Sequence, residues 1–423
     1  MSFKQIDFEN DAIAWVCHYG SDMRNRYIID GFFKTASLIY ENVKNNSTRI
    51  YEDDLVYPFL HTIRHTYELQ LKFIMYNMYD FYKKYKKEYV QFDEETYNDI
   101  KLRHDIGNLY NFIKENYCLL DERCGEYQNI INSVYDLIDD FIPEADLDQY
   151  RYAEDRDGKE NMSDITQVSF DNAYKSLKSF KEKTDCLLSF LESLNREYEL
   201  GTYYKNISRH QILLIAKELP SYDKWRDKSF NEIKNIIKKE YSLKSNNNLW
   251  DILDIIKNSR WLSYYIDYNR PDYSMKIELL KKCIEFNIEI SDYEEKPVSV
   301  SEIDLERIQT YNKKKKEFVD SLSNEEIVEI CTYYRMGHEL IAPEKYDEIL
   351  NESKSILFDD GKNTRENNYF ASKLTAPGFV DNIMCGAYSS GDYELFIALL
   401  DYLHTNTEVP CEEYDKAREK LGK

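Results

Sequence analysis

Between Tyr57 and Lys72 the chain reads Tyr-Pro-Phe-Leu-His-Thr-Ile-Arg-His-Thr-Tyr-Glu-Leu-Gln-Leu-Lys. At about 100° per residue along a helix, His61, Arg64, His65, Glu68 and Lys72 collect on one strip. Two imidazoles, a carboxylate and two cations side by side suit phosphodiester chemistry. An imidazole titrating near neutrality can move a proton, and Arg or Lys can hold a phosphate or the charge that builds in a transition state. A ribose 2′-hydroxyl would serve as the internal nucleophile, so such a reaction needs no metal. The same residues also describe a solvated helix face laced with i, i+4 pairs, His61–His65 and Glu68–Lys72 among them.

The strip needs a helix to carry it and a neighbour to shelter it. Val56, Phe59, Leu60, Ile63, Tyr67, Leu71 and Ile74 recur every three to four positions, which predicts one helix over 53–87 with a buried stripe. Glu52-Asp53-Asp54 suits its start. A second helix is predicted over 95–117, with Asp93 as its N-cap. On it Tyr97, Ile100, Leu109, Phe112 and Ile113 point to a core, while Lys101, His104, Asn108 and Asn111 share the opposite side. If the two helices pack antiparallel, His104 approaches the strip. The candidate catalytic set is then Arg64, His65, Glu68, Lys72 and His104. Arg64 and Lys72 would hold phosphate, His65 or His104 would transfer the proton, and Glu68 would orient Arg64 or pair with Lys72. His61 and His65 at i, i+4 have a spacing that can bind a metal, but Arg64 and Lys72 oppose a cation, so no metal and no cofactor are expected.

Scarce breakers, 12 Gly and 8 Pro in 423 residues, point to an all-α, multi-domain protein. Three regions are expected: a helical bundle over 1–200, a three-helix unit over 205–270 and a helical domain over 272–423. The first has further helices near 26–45, 124–141 and 164–198, the fourth closed by Pro143. A polar stretch over 142–163 contains Asp157-Gly158, a turn signal compatible with a short hairpin. In the third region helices are expected near 272–287, 301–320, 324–336, 343–357, 365–373, 391–404 and 411–421. Gly337 in Arg335-Met336-Gly337-His338 suits a helix end in the left-handed region, which makes His338 a capping or loop residue. The 38 Tyr suggest rings half-buried at helix contacts, each with a polar tip.

The middle region is the basic part of an acidic chain. From 205 to 244 there are ten Lys/Arg against five Asp/Glu, while the whole chain carries −22. Ser208-Arg209-His210-Gln211 and Ser229-Phe230-Asn231-Glu232 read as capping boxes starting helices near 209–218 and 230–241, and Asn246-Asn247-Asn248 caps a third from Leu249 to Ser259. The layout suits a helix-turn-helix-like module in which Arg209, Lys234, Lys238 and Lys239 meet phosphates. Against a base-reading role, the third helix is acidic and apolar where donors are needed. A packing subdomain with a solvated Lys face fits as well.

Other classes fall away. A charge of −22 argues against coating nucleic acid with the whole surface. There is no phosphate-binding Gly loop, no HExxH, no GxSxG and no CxxC. The eight Cys read as reduced core thiols. No charged-then-apolar leader pattern opens the sequence and no run of about 18 apolar residues occurs. A soluble, cytoplasmic protein is therefore expected.

Arg64-His65-x-x-Glu68-x-x-Leu71-Lys72 followed by His104-Asp105-x-x-x-Leu109 resembles the HEPN-type helical proteins of bacteria. Tyr150-Arg151-Tyr152 with Asp157-Gly158, and Ile207-Ser208-Arg209 through Ile215-Ala216-Lys217-Glu218-Leu219-Pro220, are similar to an uncharacterised branch of that group, and Tyr333-Tyr334-Arg335-Met336-Gly337-His338 loosely so. The resemblance spans about residues 25–260. It implies an N-terminal HEPN-like bundle, a toxin or anti-phage defence setting, binding of RNA or a nucleotide, and pairing as a homodimer. HEPN ribonucleases carry an Arg followed by His after four to six residues, and this chain has no such pair. If it is an enzyme, the resemblance implies a metal-independent endoribonuclease. The alternatives are a non-catalytic interaction subunit of a defence complex and a DNA-binding regulator acting through 205–260.

Overall fold

In the computed structural model the described residues are 21–45, 52–142, 160–162, 165–268, 273–291, 305–358 and 369–406, with single positions at 154, 158, 419 and 421. Among them the protein is all-α, with no strand. The chain divides into two compact units, residues 1–198 and 199–423.

The first unit contains α1 (Ser21–Asn45), α2 (Glu52–Phe81), α3 (Glu94–Ile100), α4 (Ile106–Asn116), α5 (Gln128–Ile138) and α6 (Phe170–Glu199). α2 is its axis. The expected stripe is buried at Phe59, Ile63, Tyr67, Leu71 and Ile74, but so is much of the polar side: Thr62, Arg64, Thr66, Glu68 and Gln70. A helix enclosed all round must satisfy its polar groups internally. Thr62 and Thr66 do so locally, their hydroxyls donating to the carbonyls of Pro58 and Thr62. α2 packs against α1 and α4, so the strip is not a solvated face.

Two predicted helices end differently. α2 passes into a π-helical turn over Tyr82–Lys86. The helix expected over 95–117 is broken: α3 stops at Ile100, and α4 restarts at Ile106 under Asp105, whose carboxylate accepts from the Asn108 N–H at 3.0 Å. Asp105 satisfies the first-turn N–H groups and so competes with helix continuation through 101–105. His104 therefore lies in a connecting turn, not on a helix face. The segment expected as a helix over 124–141 begins as a 3-10 turn at Glu122–Tyr127 before α5. Of the possible hairpin, an antiparallel bridge joins Glu154 and Glu160 around Gly158, at φ +76°; most of that stretch, including Tyr150-Arg151-Tyr152, lies outside the described residues.

Tyrosines pin the turn. Tyr79 stacks on Tyr97 at 3.9 Å and Tyr82 on Phe92 at 4.5 Å, both between the end of α2 and the α3 region. The hydroxyls of Tyr79 and Tyr82 donate to Glu94, and that of Tyr76 to the Lys101 carbonyl. At this turn the rings pack together and these three hydroxyls find acceptors, whereas the enclosed Tyr67 hydroxyl has none among the described residues.

The second unit contains α7 (Arg209–Glu218), α8 (Ser229–Glu240), α9 (Asn246–Asn258), α10 (Ser274–Ser291), α11 (Leu305–Asp320), α12 (Asn324–His338), α13 (Tyr346–Phe358), α14 (Tyr369–Leu374), α15 (Phe379–Ser389) and α16 (Tyr393–Asn406). α7–α9 have an apolar cluster of their own around Ile212, Phe230, Ile237, Leu249 and Ile252, which Tyr393 of α16 joins. A larger cluster holds α10–α16 together. Ser208 closes a capping box as expected, and Ser323 closes another at the start of α12. Ser229 does not: α8 opens after Lys228 without a side-chain cap, and α9 is capped by Ser245, one residue before the Asn run.

Gly337 sits inside α12, not at a left-handed end. A Cβ there would meet the Asn382 carbonyl, and one on Gly386 of α15 would meet the Tyr333 carbonyl, so paired glycines let two backbones touch. The left-handed residue is Leu340, at φ +50°. His338 closes α12 with its ring stacked on Tyr334. The helix expected over 411–421 lies almost wholly outside the described residues.

Asp392, fully enclosed, joins several segments of this unit. Its Oδ2 accepts from Arg260 at 2.6 Å and from the Tyr333 hydroxyl, and its Oδ1 from the Tyr273 hydroxyl at 2.6 Å. Arg260 also lies 3.6 Å over the Tyr346 ring. A buried charge needs this partnership to persist.

Candidate functional site

α2 and the turn before α4 meet at Glu68. Its carboxylate is 1% exposed. Oε1 accepts from Lys72 Nζ at 2.8 Å and lies 2.7 Å from His104 Nδ1. Oε2 lies 3.9 Å from both Arg64 Nη1 and His65 Nδ1. Lys72 and Arg64 reach Glu68 because each is one helical turn away on α2. His104 reaches it because the turn is anchored from three sides: the Asp105 cap, the Tyr76 hydroxyl on Lys101, and Arg64, whose Nη2 donates to the His104 carbonyl at 3.2 Å.

These residues differ in access. Arg64 is 0% exposed, and its guanidinium is turned to protein groups. His65 is partly buried, with Phe32 of α1 edge-on at 4.5 Å and the His61 ring parallel at 6.0 Å. His104 alone presents a half-exposed side chain, 56% accessible.

The electrostatics follow from burial. Burial pushes the Glu68 carboxyl up, but the hydrogen bonds from Lys72 and His104 outweigh it and leave the group below its ordinary value. Burial lowers His65, only partly opposed by Glu68, so this ring is held neutral. An ionised Glu68 can only accept, so the Nδ1 facing it carries hydrogen, and a neutral His104 ring keeps its lone pair on Nε2. A carboxylate holding an imidazole in one tautomer is an arrangement suited to general base catalysis at the free nitrogen. Lys72, on the same carboxylate oxygen, brings a cation alongside.

Thus Arg64, His65, Glu68, Lys72 and His104 all converge, with Glu68 at the centre. Phe32, Tyr76 and the Asp105 cap also shape the site; Phe32 carries no sequence signal, and the expected helix over 95–117 ran straight through Asp105. Among the described residues no group of three or more His, Cys, Asp or Glu is arranged to hold a metal ion.

The second candidate set is divided between Arg209 and the lysines of α8. Arg209 is committed to a two-point pairing with Glu344 and lies 4.1 Å over the Trp261 ring. Lys234 lies between the Phe230 and Trp250 rings, Lys238 donates to Asn246, and Lys239 is exposed. Among the described residues no helix is long and apolar enough to cross a membrane.

No family model matches the chain, and neither any curated protein nor any solved structure is measurably similar to it.

Proposed function

We propose that this protein is a HEPN-like helical protein of a bacterial defence or toxin-type system, acting in the cytoplasm as a metal-independent RNA-cleaving homodimer through His104. What supports the reading is one observation: the half-exposed His104 ring, 2.7 Å from a buried carboxylate that also binds Lys72. In the proposed reaction His104 Nε2 takes the proton of a ribose 2′-hydroxyl, and O2′ attacks the adjacent phosphorus. The P–O5′ bond breaks, the leaving oxygen regains a proton from the imidazolium, and the products are a 2′,3′-cyclic phosphate and a 5′-hydroxyl. Glu68 would steady the imidazolium and Lys72 the developing phosphorane charge. Arg64, being enclosed, would position the His104 turn instead of touching phosphate.

The test is end-labelled RNA with the full chain in EDTA. Cleavage to cyclic-phosphate ends is expected, with a loss of about 10²–10⁴-fold in His104→Ala. Undiminished cleavage in that variant, or cleavage abolished by EDTA, overturns the reading.

A second reading is a non-catalytic interaction subunit. It is favoured by the enclosure of Arg64, which leaves that cation no access to ligand. Under it, clean preparations leave RNA intact, His104→Ala behaves as wild type in pull-down, and one protein partner is recovered in stoichiometric amount.

A further inference from the structure

The seam between α8 and α9 carries features that the site in the first unit does not use. Trp250 is 43% exposed on α9. Lys234 lies 5.4 Å from its ring centroid, and Lys238, one turn along α8, reaches across to Asn246 at the start of α9. Lys239, the next residue of α8, is exposed. The three lysines fall within residues 205–244, where ten Lys/Arg meet five Asp/Glu.

Of the two acids of α9, one has a counter-cation and the other is held by a hydroxyl. Asp251 accepts from the Tyr204 hydroxyl at 2.5 Å, and Asp254 pairs with Lys257 at 3.1 Å. An accessible indole among lysines is the chemistry of a single-strand stacking platform: any base has a face to stack, and cations follow the backbone. Duplex reading fits less well, since a groove-entering helix needs donors where α9 presents Trp250, Asp251 and Asp254.

We propose that the α8–α9 seam binds single-stranded nucleic acid, one base stacking on Trp250 and the flanking phosphates meeting Lys234, Lys238 and Lys239. The inference rests on the second unit alone and is independent of His104.

The full chain is titrated with oligo(U) and oligo(dT) of about twelve nucleotides, within the usual span of single-strand sites, following tryptophan fluorescence and the anisotropy of a 5′ label. Quenching that tracks binding is expected. Trp250→Ala should weaken binding about tenfold. Trp250→Phe should keep most of the affinity and lose the quench, which separates stacking from any failure to fold. Lys238→Glu should reduce the salt slope by roughly 0.7. Oligo(U) and oligo(dT) binding alike point to base and phosphate alone, and a preference for oligo(U) adds a 2′-hydroxyl contact; either supports the platform. Unchanged affinity in Trp250→Ala, no binding of either oligomer, or equal affinity for a duplex of the same length overturns the proposal.

Discussion

Lys72 and His104 share one oxygen of Glu68, and Arg64 approaches the other, so that a single carboxylate balances two cations in a largely enclosed space. Glu68→Gln keeps the shape and removes the charge, leaving Arg64 buried beside a neutral amide. A loss of about 3 kcal/mol is expected, the range for breaking a buried pair from one side, read from urea denaturation. Acid should act in two steps of the same sign. His65 is depressed in the fold, so its contribution is present above the ordinary 6.5 and fades as pH falls below it. Glu68 is depressed too, so its contribution is intact above the ordinary 4.5 and is lost as pH falls further. Melting temperature should therefore decline below about pH 6.5 and more steeply below about 4.5, and His65→Phe should remove only the upper limb. The residue types of this site were legible at 100° spacing, as was the approach of His104. The enclosure of Arg64 was not: a helical wheel assigns it to the polar side, and only the packing of α1, α4 and the His104 turn on α2 shows that this side is covered.

At the scale of elements, capping and close approach decide more than periodicity. One helical face can be drawn from Tyr97 to Ile113, yet α3 stops at Ile100 and Asp105 caps a new helix. Asp105→Ala should cost about 1 kcal/mol by loss of the cap and also release the His104 turn, so activity should fall further than stability does. α15 was missed altogether. Its residues, Phe379 to Ser389, follow Pro377-Gly378 and run into Ser390-Gly391, and they read locally as a loop because Gly and Ser weaken helix propensity. In the fold Gly386 faces Gly337 across the α12–α15 crossing, and tertiary packing repays the local deficit. Gly337→Ala should cost about 1–3 kcal/mol or more, since the obstacle is backbone carbonyl and cannot turn aside. A thermal shift assay comparing it with an exposed helical Gly31→Ala, which meets nothing within 4 Å and should hold or gain stability, checks the cause.

For the molecule as a whole, the all-α class followed from composition, because 12 Gly and 8 Pro leave few places to interrupt helices. How those helices associate did not follow, because it depends on partners far apart in the chain. The piece 1–198 should give a cooperative helical melt by circular dichroism when made alone, as a compact unit with its own core would. Size-exclusion chromatography with light scattering should place the full protein at twice 50.7 kDa if it pairs. The C-terminal half offers a less obvious cut. Severing the polypeptide at 272 would take Arg260 away from Asp392 and leave an anion sealed among tyrosine hydroxyls with no counter-ion. The excised stretch 273–423 should accordingly come out insoluble, whereas a piece starting at 199 should behave, so the smallest independent fragment of this half begins upstream of Arg260.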